Sequence, residues 1–405
     1  MSEILLARQP IFNSYLNLVA YELLYRDQNL TFNQNVNPDQ ASVTVILNAL
    51  SKIGLPKLSG DFPVFINFTR ELILSAPWSI LPRDKVVIEV LENTQVDTEL
   101  LEVLRKAKHF GYQIALDDFV FNESLRPLLD LADIIKLDVM ALSEQQLLDQ
   151  LDILQGYNVE LLAEKVETYE MLSKCKQFGF DYFQGYFLSE PSIVSTDSLL
   201  SSQKEILEII GKLHSSKPDI AVIEDLLNKE ANLRNKLFKV INSEFYDLKK
   251  PVSTLQEAAD AIGLEQVRNW VDIIMLCSTG NKPPEFFSLV LQRAAMCKIL
   301  AQKLNLNGSE TFFTVGLLSA LNALLDAPKT SVLSSLAIQP DLKSALQDYQ
   351  GETGKILHLV LAYERGDWAQ ANLPPLTNDD LCKAYIESIE WSRKVIAIIG
   401  QSSLN

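Results

Sequence analysis

Histidine and cysteine are scarce in this chain, and the scarcity narrows its chemistry first. Only His109, His214 and His358 occur in 405 residues, far apart and in no metal-ligand spacing. The four cysteines, Cys175, Cys277, Cys297 and Cys382, show no paired spacing either. A zinc site and a disulfide framework are both disfavoured, and the cysteines read as free thiols in a reducing compartment. Any metal chemistry has to use oxygen ligands, which suit a hard cation such as Mg2+ or Mn2+.

Long apolar runs are missing as well. No stretch approaches the ~20 residues of a membrane span. The richest one, Trp270–Cys277, is short and contains Asp272. Met1–Arg8 lacks the basic region and apolar core of a signal peptide. The sequence therefore reads as cytoplasmic, with no membrane span. Positive charge is also in deficit: 36 Lys+Arg stand against 52 Asp+Glu, a net charge of −16. Such a field repels polyanions, so broad nucleic-acid binding is disfavoured, although a local pocket can still take a small anion. Hydrophobic residues make up 47% of a chain too long for one ordinary domain, which points to two packed cores.

What is present falls into two halves. Up to about residue 195, short β-rich runs alternate with helical ones. The strand candidates are Leu18–Leu24, Val64–Asn67, Val86–Leu91, Gln113–Asp117, Ile134–Asp138, Glu160–Ala163 and Tyr182–Gln184. Helical periodicity covers Ala41–Ile53, Thr98–Phe110, Glu144–Leu154 and Tyr169–Phe178. This alternation implies βαβ units and a parallel sheet, and so many units in this length predict a closed (β/α) barrel. From about residue 200 the strand pattern stops. Three-to-four-residue apolar spacing marks Lys204–Leu213, Ala221–Asn228, Asn232–Ile241, Leu255–Ile262, Pro284–Leu304, Phe312–Leu325 and Ala384–Ile399 as helices. The fold expected is α/β plus all-α, with domains over residues 1–195 and 196–405 and a linker at Ser192–Gln203.

The informative feature is where polar groups fall on the strands. Glu22, Asn67, Glu89, Asp117 and Asp118, Lys136 and Asp138, Glu164 and Gln184 all stand at or near strand ends. A lone strand-end Asp is ordinarily a helix N-cap, and a lone Lys snorkels to the surface. A polar group on strand after strand is harder to explain that way. In a (β/α) barrel the C-terminal strand ends share one mouth, where active-site groups cluster.

These residues carry a resemblance. The first half resembles an EAL domain, the cyclic di-GMP phosphodiesterase family. Glu22-Leu23-Leu24 matches the signature tripeptide, and Gln9-Pro10-Ile11 resembles the opening strand. Asn67 matches the metal-binding asparagine, and Glu89-Val90-Leu91-Glu92 is similar to the E-hydrophobic-T-E motif. Asp117-Asp118-Phe119 matches the start of D-D-F-G, and Lys136-Leu137-Asp138 matches K-hydrophobic-D. Ala163-Glu164-Lys165-Val166-Glu167 matches A-E-G-V-E with Lys for Gly, and Gln184-Gly185-Tyr186 matches the late Q-G-Y/F.

The resemblance implies a divalent cation, Mg2+ or Mn2+, on Glu22, Asn67, Glu89 and Asp117, with Asp118 helping to hold a second. It implies Glu164 as general base and Lys136 as an orienting cation. Gln9, Arg26 and Gln184 would meet the substrate, with Glu92 and Glu167 in support. The reaction would be hydrolysis of cyclic di-GMP to the linear dinucleotide. Members often dimerise, which leaves a homodimer open.

Two departures bear on turnover. The family follows D-D-F-G with a Gly- and Ser-rich loop, whereas here Val120 takes the Gly place and the chain runs bulky to Pro127. Val120 cannot take φ > 0 cheaply. Lys165 puts a cation beside Glu164, which would lower its basicity. Hydrolase, binding-only receptor and a protein-interaction scaffold with an inert barrel therefore all remain open.

The second half resembles an HDOD domain, a helical relative of HD-type phosphohydrolases. The similarity runs through Val240–Tyr246, Pro251–Ala258, Ile262–Trp270 and, weakly, Phe313–Ala320. Where a working HD enzyme carries His-Asp, this chain has Ser319 and Ala320. The pair needed for metal is gone, so the half reads as a regulatory or interaction module for an unknown signalling protein. His358 reads as an ordinary helix residue, and Trp270, Trp368 and Trp391 as core or interface anchors.

Overall fold

The computed structural model describes residues 4–27, 54–191, 199–215, 220–278 and 282–400. The chain divides into two compact units. The first comprises Met1–Glu190 with the later segments Glu364–Trp368 and Thr377–Cys382, and the second holds the rest.

In the first unit eight strands close into a barrel in sequence order. They are β1 (Ile4–Asn13), β2 (Leu18–Asp27), β3 (Val64–Phe68), β4 (Val86–Val90), β5 (Gln113–Leu116), β6 (Ile134–Asp138), β7 (Glu160–Glu164) and β8 (Tyr182–Gln184). From β2 to β8 each strand pairs with the next in parallel. The alternation predicts an all-parallel sheet, and here the structure differs: β1 is antiparallel to both β2 and β8. The cause is local. Residues 14–17 make a tight turn in which Asn13 Oδ1 accepts from the Tyr15 and Asn17 amides. A parallel crossover needs a dozen residues or more.

The helices of this unit are α1 (Leu55–Ser59), α2 (Arg70–Ser75), α3 (Thr98–His109), α4 (Arg126–Leu129), α5 (Glu144–Leu154) and α6 (Tyr169–Gln177). The helix expected over 41–53 lies outside the described residues. Side chains of Thr69, Asp97, Ser143 and Thr168 cap α2, α3, α5 and α6 by accepting from the backbone N–H three residues on. Each longer helix buries one stripe, such as Leu100, Leu104 and Ala107 of α3. That stripe covers the outer face of the sheet, so all five residues of β4 are buried.

Alternate residues of each strand face the barrel interior. One interior layer is apolar: Ile11, Ala20, Phe65, Val87, Ala115, Ile134 and Leu162 form a buried cluster with Tyr182 packed on it. One step of two residues toward the mouth, the same eight strands present Gln9, Glu22, Asn67, Glu89, Asp117, Lys136, Glu164 and Gln184. On antiparallel β1 that step runs toward the N-terminus. An entirely polar layer thus rests on an entirely apolar one.

The second unit is helical. Its elements are α7 (Ser201–Leu213), α8 (Ile220–Lys229), α9 (Ala231–Ile241), α10 (Leu255–Ile262), α11 (Leu264–Cys277), α12 (Pro284–Lys303), α13 (Ser309–Leu318), α14 (Leu321–Leu324), α15 (Lys329–Ser335), α16 (Pro340–Asp348), α17 (Gly351–Glu364) and α18 (Asn378–Gly400), except that Glu364 of α17 and the start of α18, to Cys382, group with the first unit. Of the expected linker, residues 192–198 lie outside the described residues, and its last three are already the first turn of α7. The single helix expected over Phe312–Leu325 is broken between α13 and α14. There the Ser319 hydroxyl donates to the Gly316 carbonyl at 2.7 Å, competing with the helical backbone pattern. Phe245, Tyr246, Trp270, Phe313 and Trp391 stack edge-on or tilted in one aromatic cluster. Trp368, in contrast, groups with the barrel unit.

Candidate active site

Lys136 is the centre of the polar layer. It lies on β6 and is fully buried. Its ammonium bonds Glu89 of β4, and lies 2.8 Å from Asp117 just past β5, 2.8 Å from Glu164 of β7 and 3.3 Å from Glu22 of β2. Around this cage sit the amides. Asn67 Nδ2 donates to Glu22 Oε1 at 3.1 Å, while Gln184 Nε2 donates to Glu22 Oε2 at 2.6 Å and to Gln9 Oε1 at 2.9 Å. Every group expected on strands β1 to β8 at this level is therefore brought together.

The cage does not balance its charge: four carboxylates meet one ammonium. Burial alone would favour a neutral Lys136, but the surrounding carboxylates outweigh it and hold the ammonium charged well above its ordinary range. The surplus negative charge then falls on the acids. Burial, with Glu22 adding to it, pushes the Glu89 carboxyl well up against the pull of Lys136. Burial likewise lifts Glu164 to about 8, opposed by Lys136 and helped by Asp117 and Glu22.

Several oxygens in the ring have no hydrogen-bond partner: Asn67 Oδ1, Glu89 Oε2, Glu164 Oε2 and Gln184 Oε1. Buried acceptors left without donors are costly unless something else binds them. Unpartnered oxygens, excess negative charge and an all-oxygen donor set together fit a hard divalent cation. A second acidic group adjoins the first. Carboxylate oxygens of Glu92, Asp117 and Asp118 lie within 4.8 Å of one another, and Asp118 Oδ1 has no hydrogen-bond partner. Burial and the neighbouring Asp117 raise the Asp118 carboxyl.

Other expected residues stand apart. Glu167 is exposed and outside the cage, because β7 ends at Glu164 and Lys165 turns the chain at φ 56, so strand alternation no longer aims residue 167 inward. Arg26 lies on β2, but its side chain is outside the described part. The strain expected at Val120 is absent. The positive φ falls on Asp118 instead, at 41°, and Val120 is simply exposed. Lys165 acts on Glu164 only weakly, behind its nearer partners. Its ammonium bonds Asp138 and lies 3.7 Å from Asp118, and Glu164 rises through burial rather than falling.

Tyr25 belongs to the site and was not anticipated. Its hydroxyl donates to the Asn67 carbonyl at 2.8 Å. Burial, then Glu89 and Glu22, raise its phenol. It stands three residues past Glu22 in Tyr21–Arg26, yet a tyrosine bonded to a backbone carbonyl leaves no pattern in sequence.

Comparison with known proteins gives this ring its family. The EAL domain model matches residues 47–191 and the HDOD domain model residues 199–333. The chain carries an EAL domain followed by an HDOD domain. The EAL match begins after β2, so Gln9, Glu22 and Arg26 lie outside it. Whole-length relatives extend further. The uncharacterised protein YuxH of Bacillus subtilis (strain 168) is 29% identical, covering 97% of this chain and 99% of its own. The cyclic di-GMP phosphodiesterase CdgJ of Vibrio cholerae serotype O1 is 28% identical, covering 97% and 93%. A solved EAL domain protein from Listeria monocytogenes EGD-e is 21% identical, covering 46% of this chain and 87% of that one, with a TM-score of 0.37.

The HDOD domain departs from HD-type chemistry at Ser319. Its hydroxyl accepts from the guanidinium of buried Arg293 at 3.1 Å, so the position is a packing contact. His358 stacks on Tyr349 with ring centroids 5.0 Å apart. His214 pairs with fully buried Asp272 at 2.5 Å, tying the end of α7 to α11. No described helix in either domain is long and apolar enough to cross a membrane.

Proposed function

We propose that the EAL domain is a metal-dependent phosphodiesterase that hydrolyses cyclic di-GMP to the linear dinucleotide. The observation that carries the reading is the polar ring with its surplus charge and unpartnered oxygens. Glu22, Asn67, Glu89 and Asp117 would hold one Mg2+ or Mn2+, and Asp117, Asp118 and Glu92 offer a place for a second. A cation held there would supply a more acidic water and offset phosphate charge.

The chain's own residues supply the rest. Glu164, buried beside Lys136, takes the proton of the attacking water as general base. Lys136 holds the carboxylates in one geometry and offsets their repulsion. Gln184 and Gln9 form an amide pair that fixes Glu22 and faces the substrate. Tyr25 fixes the Asn67 backbone. The HDOD domain, without its His-Asp pair, serves as a regulatory or partner-binding module. Purified full-length protein with Mg2+ or Mn2+ is expected to release linear dinucleotide from cyclic di-GMP, and Glu22→Ala and Glu164→Ala are expected to abolish the release. No product with either metal would sink the hydrolase reading.

A second reading, a cyclic di-GMP receptor without turnover, rests on the segment after Asp118. Residues Glu123–Leu125 form a 3-10 turn leading into α4, and Arg126 ties it to Glu123 at 3.0 Å and to Tyr157 at 3.1 Å. A segment fixed in this way adapts less than a glycine-rich loop. Heat of cyclic di-GMP binding without product would favour it.

A further inference from the structure

The barrel unit includes a segment from far downstream, Glu364–Trp368. Two contacts place it at the barrel mouth. Gly366, at φ 67, lies against Leu24, and a Cβ built on it would stand 3.1 Å from Leu24 Cδ1. Leu24 is two residues past Glu22 on β2, so it faces the same interior one layer nearer the mouth. The neighbouring Arg365 holds its guanidinium 5.6 Å from the Tyr186 ring centroid. Tyr186 follows Gln184 and Gly185 at the end of β8. Arg365 thus stands beside the ends of the two strands that carry Glu22 and Gln184.

Among the described side chains, the other cations near the ring are engaged. Lys136 is held by four carboxylates, and Lys165 by Asp138 and Asp118. Arg365 is exposed and, among the described residues, makes no ion pair. An arginine stacked on an aromatic face keeps its planar donor fork oriented and lightly hydrated, the state suited to a phosphate. In a chain of net charge −16, an anionic ligand needs such local cations to approach the mouth at all.

We propose that Arg365 is a ligand-binding residue of the barrel site: its guanidinium meets a phosphate of the cyclic dinucleotide, and Tyr186 positions it. The inference rests on the reading of the ring as a cyclic di-GMP site. It extends that site to a residue outside the 47–191 EAL match, so the EAL residues alone do not set the affinity.

The test uses full-length protein carrying Glu164→Gln, so that ligand is not consumed, titrated calorimetrically with cyclic di-GMP in the presence of Mn2+. Arg365→Ala in this parent is expected to raise the Kd about ten-fold, with Arg365→Lys in between, because lysine keeps the charge and loses the fork. Tyr186→Leu is expected to weaken binding in the same direction. The Mn2+ affinity and the melting temperature are expected to stay at the parent's values, since Arg365 touches neither the ring nor the core. A Kd for Arg365→Ala within about two-fold of the parent would overturn the role of Arg365 while leaving the site reading intact. A parent that gives no heat with cyclic di-GMP would remove both.

Discussion

Lys165 occupies a left-handed backbone position, φ 56, that glycine takes freely. For a side chain this conformation costs roughly 1–2 kcal/mol. The compensating pair with Asp138 is half-exposed on the lysine side and gives back at most about 1 kcal/mol. Replacing Lys165 by Gly removes strain and pair together, whereas Ala removes only the pair. Lys165→Gly is therefore expected to be more stable than Lys165→Ala by about 1 kcal/mol in urea unfolding, and equal midpoints would refute the strain. At this scale the sequence was partly legible. A carboxylate, amide or amine on successive strand ends has no structural use in an apolar barrel, so Glu22, Glu89, Asp117 and Glu164 stood out by residue type. Tyr25 and Arg365 did not. One acts through a backbone carbonyl, and the other reaches the site from a distant part of the chain. Lys165 was visible, but its direction was not: it turns toward Asp138 and leaves Glu164 to be raised by burial.

Among the elements, the C-terminal ends of β7 and β8 are held in close backbone contact. Gly185 has φ 150, and a Cβ there would fall 2.1 Å from the Val166 carbonyl oxygen. Val166 has little room to retreat, because its N–H donates to the Gln184 carbonyl and its carbonyl accepts from Phe187. Gly185→Ala is expected to destabilise the protein by about 1–3 kcal/mol and to weaken metal binding, because Gln184 moves with the backbone. Thermal unfolding and Mn2+ titration would check both.

The start of α3 offers a pH-dependent test. The Leu100 amide, then the Arg70 guanidinium, hold the Asp97 carboxyl below its usual range. A depressed folded value means stability that is present above the unfolded pKa of about 3.9 and lost as pH falls through the folded one. Asp97→Asn keeps a capping oxygen and removes the charge. Its stability deficit is expected at pH 7 and should vanish in acid, and a deficit that persisted below about pH 3 would contradict the assignment. Element types were legible where periodicity was long, as in α5 and β6. The antiparallel β1 was not, because only a four-residue turn decides it, and neither was the break after α13, which depends on one serine hydroxyl.

For the whole molecule, the decisive asymmetry is where the acidity collects. The acidic residues are shared almost equally, 27 in residues 1–195 and 25 in residues 196–405. Yet among the described residues, the one group of three carboxylates close enough to share an ion is in the barrel, beside the cage around Lys136. One ammonium cannot neutralise four carboxylates, three of them buried, and this imbalance costs the barrel stability. A cation that binds the folded barrel and not the unfolded chain stabilises it by mass action, about 2.7 kcal/mol at a hundred times its Kd. Mn2+ or Mg2+ is therefore expected to raise the melting temperature of the barrel transition, and a chelator to reverse the rise. Glu22→Ala should erase the response, because it removes the carboxylate that both Asn67 and Gln184 hold in place. Calcium of equal charge would reveal how far the response depends on ion size. The helical domain, in which Ser319 meets Arg293, supplies the internal control. Its tryptophan fluorescence, dominated by the Trp270–Trp391 cluster, should melt at a temperature the metal does not move. A metal shift that survived Glu22→Ala would place the ion elsewhere and remove the physical basis for assigning catalysis to the ring.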